Sequence, residues 1–223
     1  MLLNRQDLPV DEGELRRFLH EQDFGQLIVP AMDGDLPIVV PAHFSYTEQP
    51  PRVELHLHSR NPAWGAVEAA GRAVFSVVSA AAYIPTYWNA DPGEATEWAA
   101  PTSYYAAAQL SGTAGVIEDP DEIAALLRRQ LRRHQPEGGH GDVARGTPFW
   151  RLLRAIRGLR IDVDETRVKF KFGGNRSDAH RRSVAQRLLE RGGVHDVLAH
   201  EFVVRRTSTP PTADTPPGRS PAT

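Results

Sequence analysis

The feature that most constrains this chain is a series of short runs in which apolar and polar residues alternate, separated by turn-forming residues. In the clearest run, residues 52–58, the side chains of Val53, Leu55 and Leu57 share one face. Alternation with a period of two is typical of a strand that buries one side. Repeated along the chain, it predicts a sheet of neighbouring strands joined by tight turns.

The pattern predicts six or seven strands with short helices between them. Two apolar runs flank the Asp33-Gly34 pair, which is typical of a hairpin. Further strands are predicted at residues 73–79, 106–118, 158–164 and 166–172, a long aromatic loop at 80–103, and helices at 11–21, 62–71, from Asp119, at 149–156, and from a cap at Ser177 to a stop at Gly192-Gly193. Because helices and strands do not alternate regularly, we expect a mostly β fold of the α+β class, an antiparallel barrel with peripheral helices.

Composition narrows the classes of function. The 223 residues include no cysteine, which excludes disulfides, thiol nucleophiles, iron–sulfur clusters and cysteine-based zinc sites. The net charge of −2 does not make the whole molecule a polycation. We expect residues 1–206 to form one domain. Residues 207–223, rich in Pro, Thr, Ser and Ala, are expected to be a disordered tail.

The N-terminal segment lacks the basic and then apolar pattern of a signal peptide. No apolar run approaches the roughly 20 residues that span a bilayer. We therefore expect a cytoplasmic location and no membrane partner.

The first candidate site is the turn His58-Ser59-Arg60-Asn61-Pro62, where a strand ends and a helix begins. A helix N-terminus offers unpaired backbone N–H groups and the positive end of a dipole. Arg60 adds a planar cation and Ser59 a hydroxyl, which together are the parts of a phosphate cradle. The alternative is a capped turn with a solvent-exposed arginine.

Histidines raise the question of a metal site. His56 and His58 lie two apart on a strand and point to one face, and His43 is close enough in sequence to join them. No further ligand stands at a recognisable spacing, so no metal site is predicted. His134 and His140 are interpreted as exposed loop histidines.

Aromatic residues form the second candidate site. They are concentrated in and just after the predicted loop: Tyr83, Tyr87, Trp88, Trp98, Tyr104 and Tyr105. Their rings would stack on a planar ligand, cover the opening of a barrel or fill a dimer interface. These interpretations are compatible.

Basic residues form the last two candidates. Lys169 and Lys171 alternate with Phe170 and Phe172, which predicts cations facing an anionic ligand or water and rings facing the core. Arginines recur at residues 128–133 and in the last predicted helix, at Arg176, Arg181, Arg182, Arg187 and Arg191. DNA contact through these arginines is less favoured than a solvated face, because acidic residues elsewhere balance the chain.

The order of these motifs resembles the PaiB-type FMN-binding negative transcriptional regulators, within the pyridoxamine-phosphate-oxidase-like split-barrel group. The similar segments, spread over residues 1 to about 192, are Phe24-Gly25-Gln26-Leu27, Leu55-His56-Leu57-His58, Arg60-Asn61-Pro62-Ala63-Trp64, Ala82-Tyr83-Ile84-Pro85, Pro101-Thr102, Tyr105-Ala106-Ala107, Gly112, Lys169-Phe170-Lys171 and Asn175-Arg176-Ser177. The resemblance implies a six-stranded antiparallel split barrel of the FMN-binding type, and a homodimer with FMN at the subunit interface.

The resemblance also implies roles for individual residues. The turn at residues 58–61 would hold the flavin phosphate, and the strand that ends at His43 would run beside the isoalloxazine ring. The implied cofactor-binding set is His43, His58, Ser59, Arg60, Asn61, Gln109, Lys169 and Arg176. The pocket candidates on the substrate side are Tyr83, Tyr87, Trp88, Tyr104 and Tyr105, and no catalytic residue is assigned.

The chain departs from the family pattern in its best-marked loop. The family usually reads Ile-Ser-Pro-Ser-Trp-Tyr at residues 84–89 and Pro-Thr-Trp-Asn-Tyr at 101–105, and it has a histidine where this chain has Gln109. A remodelled pocket favours an FMN-dependent oxidoreductase acting on a small molecule. The alternatives are a flavin-binding repressor of the PaiB type and a cofactor-free split-barrel enzyme of specialised metabolism.

Overall fold

The computed structural model describes residues 1–31, 36–91 and 93–208. The predicted Asp33-Gly34 turn and most of the predicted tail lie outside these residues. The chain divides into two compact units. The first unit contains residues 1–79 and 105–170, and the second contains residues 80–104 and the described residues from 171 onward.

The described residues form a mixed α+β fold around one large, mainly antiparallel sheet. Its strands are β1 (Phe24–Val29), β2 (Ile38–His43), β3 (Ser45–Thr47), β4 (Arg52–His58), β5 (Arg72–Ile84), β6 (Thr102–Ile117) and β7 (Ile156–Lys171). The order across the sheet is β2-β1-β5-β6-β7-β4-β3. The sheet is open and has seven strands, which corrects the expected number of six.

Along the chain, the helices in the described residues precede, separate or follow these strands. They are α1 (Glu12–Glu21), α2 (Ala63–Ala70), α3 (Thr86–Asn89), α4 (Pro120–His134), α5 (Pro148–Leu152), α6 (Asp178–Arg191) and α7 (Val194–Ser208), with 3₁₀ turns at Arg5–Asp7 and Leu153–Ala155. Among the residues described, no helix is both long and apolar enough to cross a bilayer.

Local chemistry sets the ends of several helices where the sequence predicts them. The Asp119 carboxylate accepts hydrogen bonds from the backbone N–H groups of Asp121 and Glu122, which caps α4. Ser177 caps α6 by accepting from the N–H of His180. Gly71 adopts a left-handed conformation, with φ of 61°, directly after α2.

Two predicted boundaries are wrong, and one helix is not predicted. Strand β5 continues to Ile84 and α3 follows it, so much of the expected loop at residues 80–103 is regular structure. Residues 158–172 do not form two strands, because β7 runs unbroken through an exposed polar middle, residues 164–167, that resembles a turn in sequence. The predicted stop at Gly192-Gly193 is confirmed, because α6 ends at Arg191 and Gly192 caps it in a left-handed conformation, but the sequence pattern does not predict α7, which follows.

The sheet of the first unit has to curl because of how its two edges are connected. Strands β2 and β3 are the two edges, yet only Phe44 separates them in sequence. One residue joins Cα atoms about 7 Å apart at most, whereas six spacings in a flat sheet add up to about 29 Å. Strand β2 accordingly lies against β4, and the Phe44 side chain is fully buried with its ring 4.7 Å from that of Phe75.

Strand β4 is covered on both faces, although its pattern predicts only one buried face. The Glu54 side chain is only 5% exposed. Its carboxylate accepts from Arg129 on α4 and from Nε of Arg160 on β7, the latter at 3.2 Å. His56 Nδ1 lies 2.6 Å from Gln130 Oε1, also on α4. Helix α4 therefore covers the polar face of β4. Its Arg129 and Gln130 side chains form hydrogen bonds with Glu54 and His56 on that face.

Substitution of Gly112 by alanine tests the close approach of β6 to β7. A Cβ atom at this position would stand 1.9 Å from the carbonyl oxygen of Asp162, so the backbone has to shift. We expect Gly112→Ala to lower the free energy of unfolding by about 1–3 kcal/mol, the usual cost of overpacking, as measured by urea denaturation. Gly115→Ala, on the same strand, is the control because nothing lies within 4 Å of its added methyl group. An equal loss in both variants would contradict this account.

Candidate functional site

The turn between β4 and α2 presents side-chain donors outward. The backbone N–H of Arg60 donates to His58 Nδ1 at 3.1 Å, which leaves the proton of a neutral His58 ring on Nε2. The Ser59 N–H donates to the carbonyl oxygen of Ala155 at 2.8 Å, which ties the turn to the start of β7. The Arg60 side chain is exposed and has no hydrogen-bond or ion-pair partner among the described residues.

The start of α2 is capped from within the turn. The Asn61 side-chain oxygen accepts from the N–H of Ala63 at 2.9 Å. The Trp64 indole N–H donates to the carbonyl oxygen of His58 at 2.9 Å, which fixes the helix against the end of β4. Asn61 therefore acts as a cap, in addition to any contact with a ligand.

These contacts correct one part of the phosphate-cradle prediction. Acceptors within the protein already engage five backbone N–H groups of the turn and helix start, those of Ser59, Arg60, Asn61, Ala63 and Trp64. An anion here would be held mainly by the side chains of Arg60, Ser59 and His58, with support from the helix dipole.

A cleft of about 450 Å³ borders this turn. Its lining residues are Ser59, Glu118, Pro120, Ile123, Trp150, Leu153, Arg154, Ile156 and Arg157. This volume falls within the range of small-molecule sites. Arg154 is exposed and has no ion-pair partner in the described part of the chain, so it is available to an anion.

Arg157, which also lines the cleft, is engaged by protein groups. Its guanidinium donates to Glu68 and Glu118, and it lies 5.1 Å from the centre of the Trp64 ring. The hydrogen bond to Glu68 is the largest cause that raises the pKa of Arg157. The cleft is therefore lined by one guanidinium paired with carboxylates, that of Arg157, and one without an ion-pair partner in the described residues, that of Arg154.

Other predicted cofactor residues of the first unit lie on β2, β6 and β7. Gln109 and Tyr105 are half-buried and four residues apart, hence on one face of β6. Lys169 is buried, and its Nζ donates to the carbonyl oxygen of Leu2 at 2.8 Å and lies 3.3 Å from a carboxylate oxygen of Asp7. Lys169 thus faces the N-terminal segment, which corrects the expected orientation towards water or an anion.

His43 lies at the end of β2, beside His134, which the sequence pattern assigns to an exposed loop. His134 is the last residue of α4 and not part of a loop. The centres of the two rings are 4.7 Å apart. Burial, followed by the proximity of His43, lowers the pKa of His134, which favours the neutral ring. The helical spacing from Asp119 could have extended α4 to His134, but no local pattern predicts its contact with β2.

The second unit contains Arg176 and most of the aromatic candidates. Arg176 pairs with Asp91 at 2.8 Å. The side chains of Tyr83 and Tyr87 are each 58% exposed. Trp88 is half-buried under the guanidinium of Arg191, which lies 4.6 Å from the centre of its ring. Trp98 is 82% exposed. In the described part of this unit, these four aromatic rings remain accessible, at least in part, to a ligand.

Tyr104 belongs to the core of the second unit. It is 2% exposed, its ring packs edge-on against Phe172 at 5.9 Å, and a Cβ atom at Gly173 would approach its hydroxyl to 2.4 Å. Burial raises the pKa of Tyr104 to about 12. Lys171, nearby in this unit, donates to the Thr102 hydroxyl at 2.7 Å.

Most arginines of the two basic runs are bound to the protein itself. In the second unit, Arg176 pairs with Asp91, Arg181 with Asp178, Arg187 with the carbonyl oxygen of Tyr87, and Arg191 with Asp196. In the first unit, Arg128 donates to Val143, Arg129 to Glu54, and Arg133 to two carbonyl oxygens. These groups stabilise the fold and reduce the cationic surface left for DNA.

The sequence family described as "Putative FMN-binding domain" matches residues 1–165. The chain belongs to this family. The prediction of FMN as the cofactor is confirmed at the level of the family. The match does not distinguish the PaiB type from other members. No curated protein matches the chain in sequence.

Solved structures with the same fold include flavin-binding proteins. The flavocytochrome Anf3 of Azotobacter vinelandii is 18% identical, with a TM-score of 0.57 over 74% of this chain and 69% of its own. The FAD and heme binding protein of Mycobacterium smegmatis is 18% identical, with a TM-score of 0.54 over 83% and 80%. A conserved hypothetical protein of Mycobacterium tuberculosis, Rv2991, is 14% identical, with a TM-score of 0.54 over 76% and 90%.

The turn at residues 58–61 of this FMN-binding domain fits the phosphate end of FMN. Arg60 supplies a guanidinium with no protein partner among the described residues, and His58 and Ser59 add an N–H and an O–H donor. No carboxylate stands within these four residues. The donors of Arg60, His58 and Ser59 therefore suit a phosphate dianion.

Acidification tests how the second unit fixes Arg191, which covers Trp88. The Asp196 carboxylate accepts from Nε and Nη2 of Arg191 and from the N–H of Gly193, and the bond to Arg191 is the main cause that lowers the pKa of Asp196. A lowered pKa stabilises the fold above the unfolded value near 3.8, and this stabilisation is lost as the pH falls through the folded value. We expect Asp196→Asn to cost about 1.5–3 kcal/mol at pH 7.

The measurement is urea unfolding of both proteins from neutral to strongly acidic pH. The difference in free energy of unfolding between the two proteins should shrink as the pH falls below about 4. Glu190→Gln, an exposed change on α6, serves as the control and should cost little at either pH. A difference that stays constant with pH would mean that the pair does not act as described.

Proposed function

We propose that this protein is an FMN-dependent oxidoreductase that acts on a small molecule, in a pocket at the interface of a cytoplasmic homodimer with a split-barrel fold. The observation that carries the proposal is the turn at residues 58–61, which offers the unpaired guanidinium of Arg60 and contains no carboxylate, in a chain of the FMN-binding domain family. Arg60, Ser59 and His58 bind the phosphate, and Asn61 keeps the turn in shape.

The division of labour follows from the residues present. Bound FMN supplies the two-electron redox chemistry, which a chain without cysteine does not provide through thiols. The chain's own groups bind the cofactor, orient the substrate and limit access of water. Tyr83, Tyr87 and Trp88 are assigned to the substrate side, because flat amphipathic rings bind planar molecules.

Exposed apolar side chains on the strands support the homodimer. Phe24, Val39 and Val78 of the first unit remain 48–60% exposed, which suits a surface that a second copy covers. Light scattering by the purified protein measures this assembly directly, and a monomer at working concentrations would contradict it.

The proposal ranks the oxidoreductase above the PaiB-type repressor. The arginines that sequence patterns offered to DNA are largely bound to carboxylates and carbonyl oxygens of the protein. A repressor would need an exposed cationic surface to contact phosphates. The engaged arginines therefore support an activity that resides in the flavin pocket.

Reduction of the bound flavin by NADH or NADPH is the test that separates the two roles. We expect the yellow protein to bleach under anaerobic conditions with at least one nicotinamide donor, and to reoxidise when an acceptor is added. The same preparation should show no sequence-specific shift of DNA fragments in a gel. A preparation that binds FMN, resists both donors and shifts DNA specifically would favour the repressor. A colourless protein that does not bind added FMN would favour the cofactor-free enzyme.

Substitution of Arg60 tests the phosphate contact. We expect Arg60→Ala to raise the Kd for FMN about 10- to 100-fold, since a hydrogen bond to a charged group contributes about 1.5–3 kcal/mol. Arg60→Lys should recover part of this loss, because it keeps the charge but loses the planar fork. The Kd is read from the quenching of FMN fluorescence on titration.

Arg182→Ala is the matched control for Arg60. Arg182, on α6, is exposed like Arg60 and likewise has no partner among the described residues, but it belongs to the second unit and is not assigned to the phosphate. Its FMN affinity should equal that of the parent protein. Equal losses in the two alanine variants would show a general effect of charge and overturn the assignment of Arg60.

A further inference from the structure

Three ligand-bearing side chains from three elements of the first unit converge on one point. Asp23 stands between α1 and β1, His43 ends β2, and His134 ends α4. The potential ligand atoms of the three lie within 4.8 Å of one another. His134 Nδ1 is 3.5 Å from a carboxylate oxygen of Asp23. The resemblance places only His43 of the three near the flavin, and nothing assigns a role to Asp23, to His134 or to the three side chains together.

The backbone already orients His43. Its Nδ1 lies 3.1 Å from the carbonyl oxygen of Asp23, so a proton on Nδ1 is donated there and Nε2 keeps its lone pair. Metal-binding histidines commonly donate their second N–H to a carbonyl oxygen or a carboxylate, which fixes the tautomer and the ring. The Phe24 ring packs edge-on against His43 at 5.0 Å and restricts its rotation.

The backbone around His134 is also fixed. The preceding residue, Arg133, donates to the carbonyl oxygens of His20 and Gln22, each at 2.7 Å. These two bonds fasten the last turn of α4 to the end of α1. These backbone contacts hold the end of α4, with His134, close to the segment that contains Asp23.

We propose that Asp23, His43 and His134 bind a divalent transition-metal ion, with Zn²⁺ as the best match. Two imidazole nitrogens and one carboxylate oxygen suit zinc, whereas magnesium and calcium prefer oxygen ligands alone. Bonds of about 2.0–2.2 Å in a tetrahedron place neighbouring ligand atoms about 3.3 Å apart. The pair formed by His134 and Asp23 is already near this separation, and small rotations of these two exposed side chains bring them towards an ion held by the fixed His43 ring.

Three protein ligands leave a fourth position for water or an exchangeable ligand. Binding would also link three chain segments that are distant in sequence, the end of α1, the corner after β2 and the end of α4. The ion would therefore stabilise the first unit as well as present a Lewis acid at the surface.

The site is separate from the cleft beside the phosphate turn. Pro120, at the first turn of α4, lines the cleft, and His134 is the last residue of the same helix. A rise of 1.5 Å per residue over these positions places them about 21 Å apart. Metal binding therefore does not require the phosphate turn, so the Zn²⁺ titration can fail while FMN binding through Arg60 holds, and the reverse.

Calorimetric titration of Zn²⁺ into the tag-free protein as purified tests the proposal. We expect one ion per chain, and a Kd at least tenfold higher in each of Asp23→Ala, His43→Ala and His134→Ala. Mg²⁺ should give no saturable heat. Co²⁺ should give the intense visible absorption of a four-coordinate nitrogen and oxygen site, and Zn²⁺ should abolish it.

His140→Ala is the matched control, because His140 is another histidine near the end of α4, with its Nδ1 at 3.1 Å from the carbonyl oxygen of Gly141 and outside the cluster. This variant should bind Zn²⁺ as the parent does. The proposal is overturned if the parent shows no saturable binding, if the three alanine variants bind as tightly as the parent, or if His140→Ala weakens binding equally. Where an alanine variant does not fold, Asp23→Asn and His134→Gln replace it under the same tenfold criterion.

Discussion

The single residue between β2 and β3 is the constraint on which the first unit depends. Because Phe44 alone joins the two edges of the sheet, the strands between them have to curl. The carbonyl oxygen of Asp23 accepts from both the N–H of Phe44, at 3.1 Å, and His43 Nδ1, which anchors this corner to the start of β1. The same corner therefore sets the curvature of the sheet and delivers His43 to the cluster with His134.

Arginine side chains provide a second layer of organisation. A guanidinium has five donors in a rigid plane, so one side chain can connect two segments of backbone, as Arg133 does at the end of α1. Arg129 and Arg160 similarly satisfy the buried carboxylate of Glu54 on the covered face of β4. Functional significance then belongs to the few arginines left without such partners, of which Arg60 is the best placed.

The parts of this structure that sequence predicted are the local ones. Val53, Leu55 and Leu57 identify β4 by their period, and Asp119 and Ser177 identify the starts of α4 and α6 by capping. Apart from the extents of β5 and β7 and the missed helix α7, the errors concern contacts between distant residues, because no local pattern encodes them. The alternation predicts that Lys169 faces water or an anionic ligand, whereas its ammonium group lies beside Asp7. His134 has no sequence signal that points to His43. The turn at residues 58–61 was predicted since its chemistry is contiguous, but its internally satisfied N–H groups were not.

The location of the two lysines gives this chain an unusual chemical reactivity. Lys169 and Lys171 are its only lysines, and both ammonium groups donate to protein oxygens, one buried under the N-terminal segment and one half-buried. Reagents that acylate primary amines reach the Lys169 amine only when the segment that contains Leu2 and Asp7 detaches. The acylation rate of Lys169 is thus proportional to the fraction of time that this segment spends away from β7, so it measures local opening of the N-terminal segment.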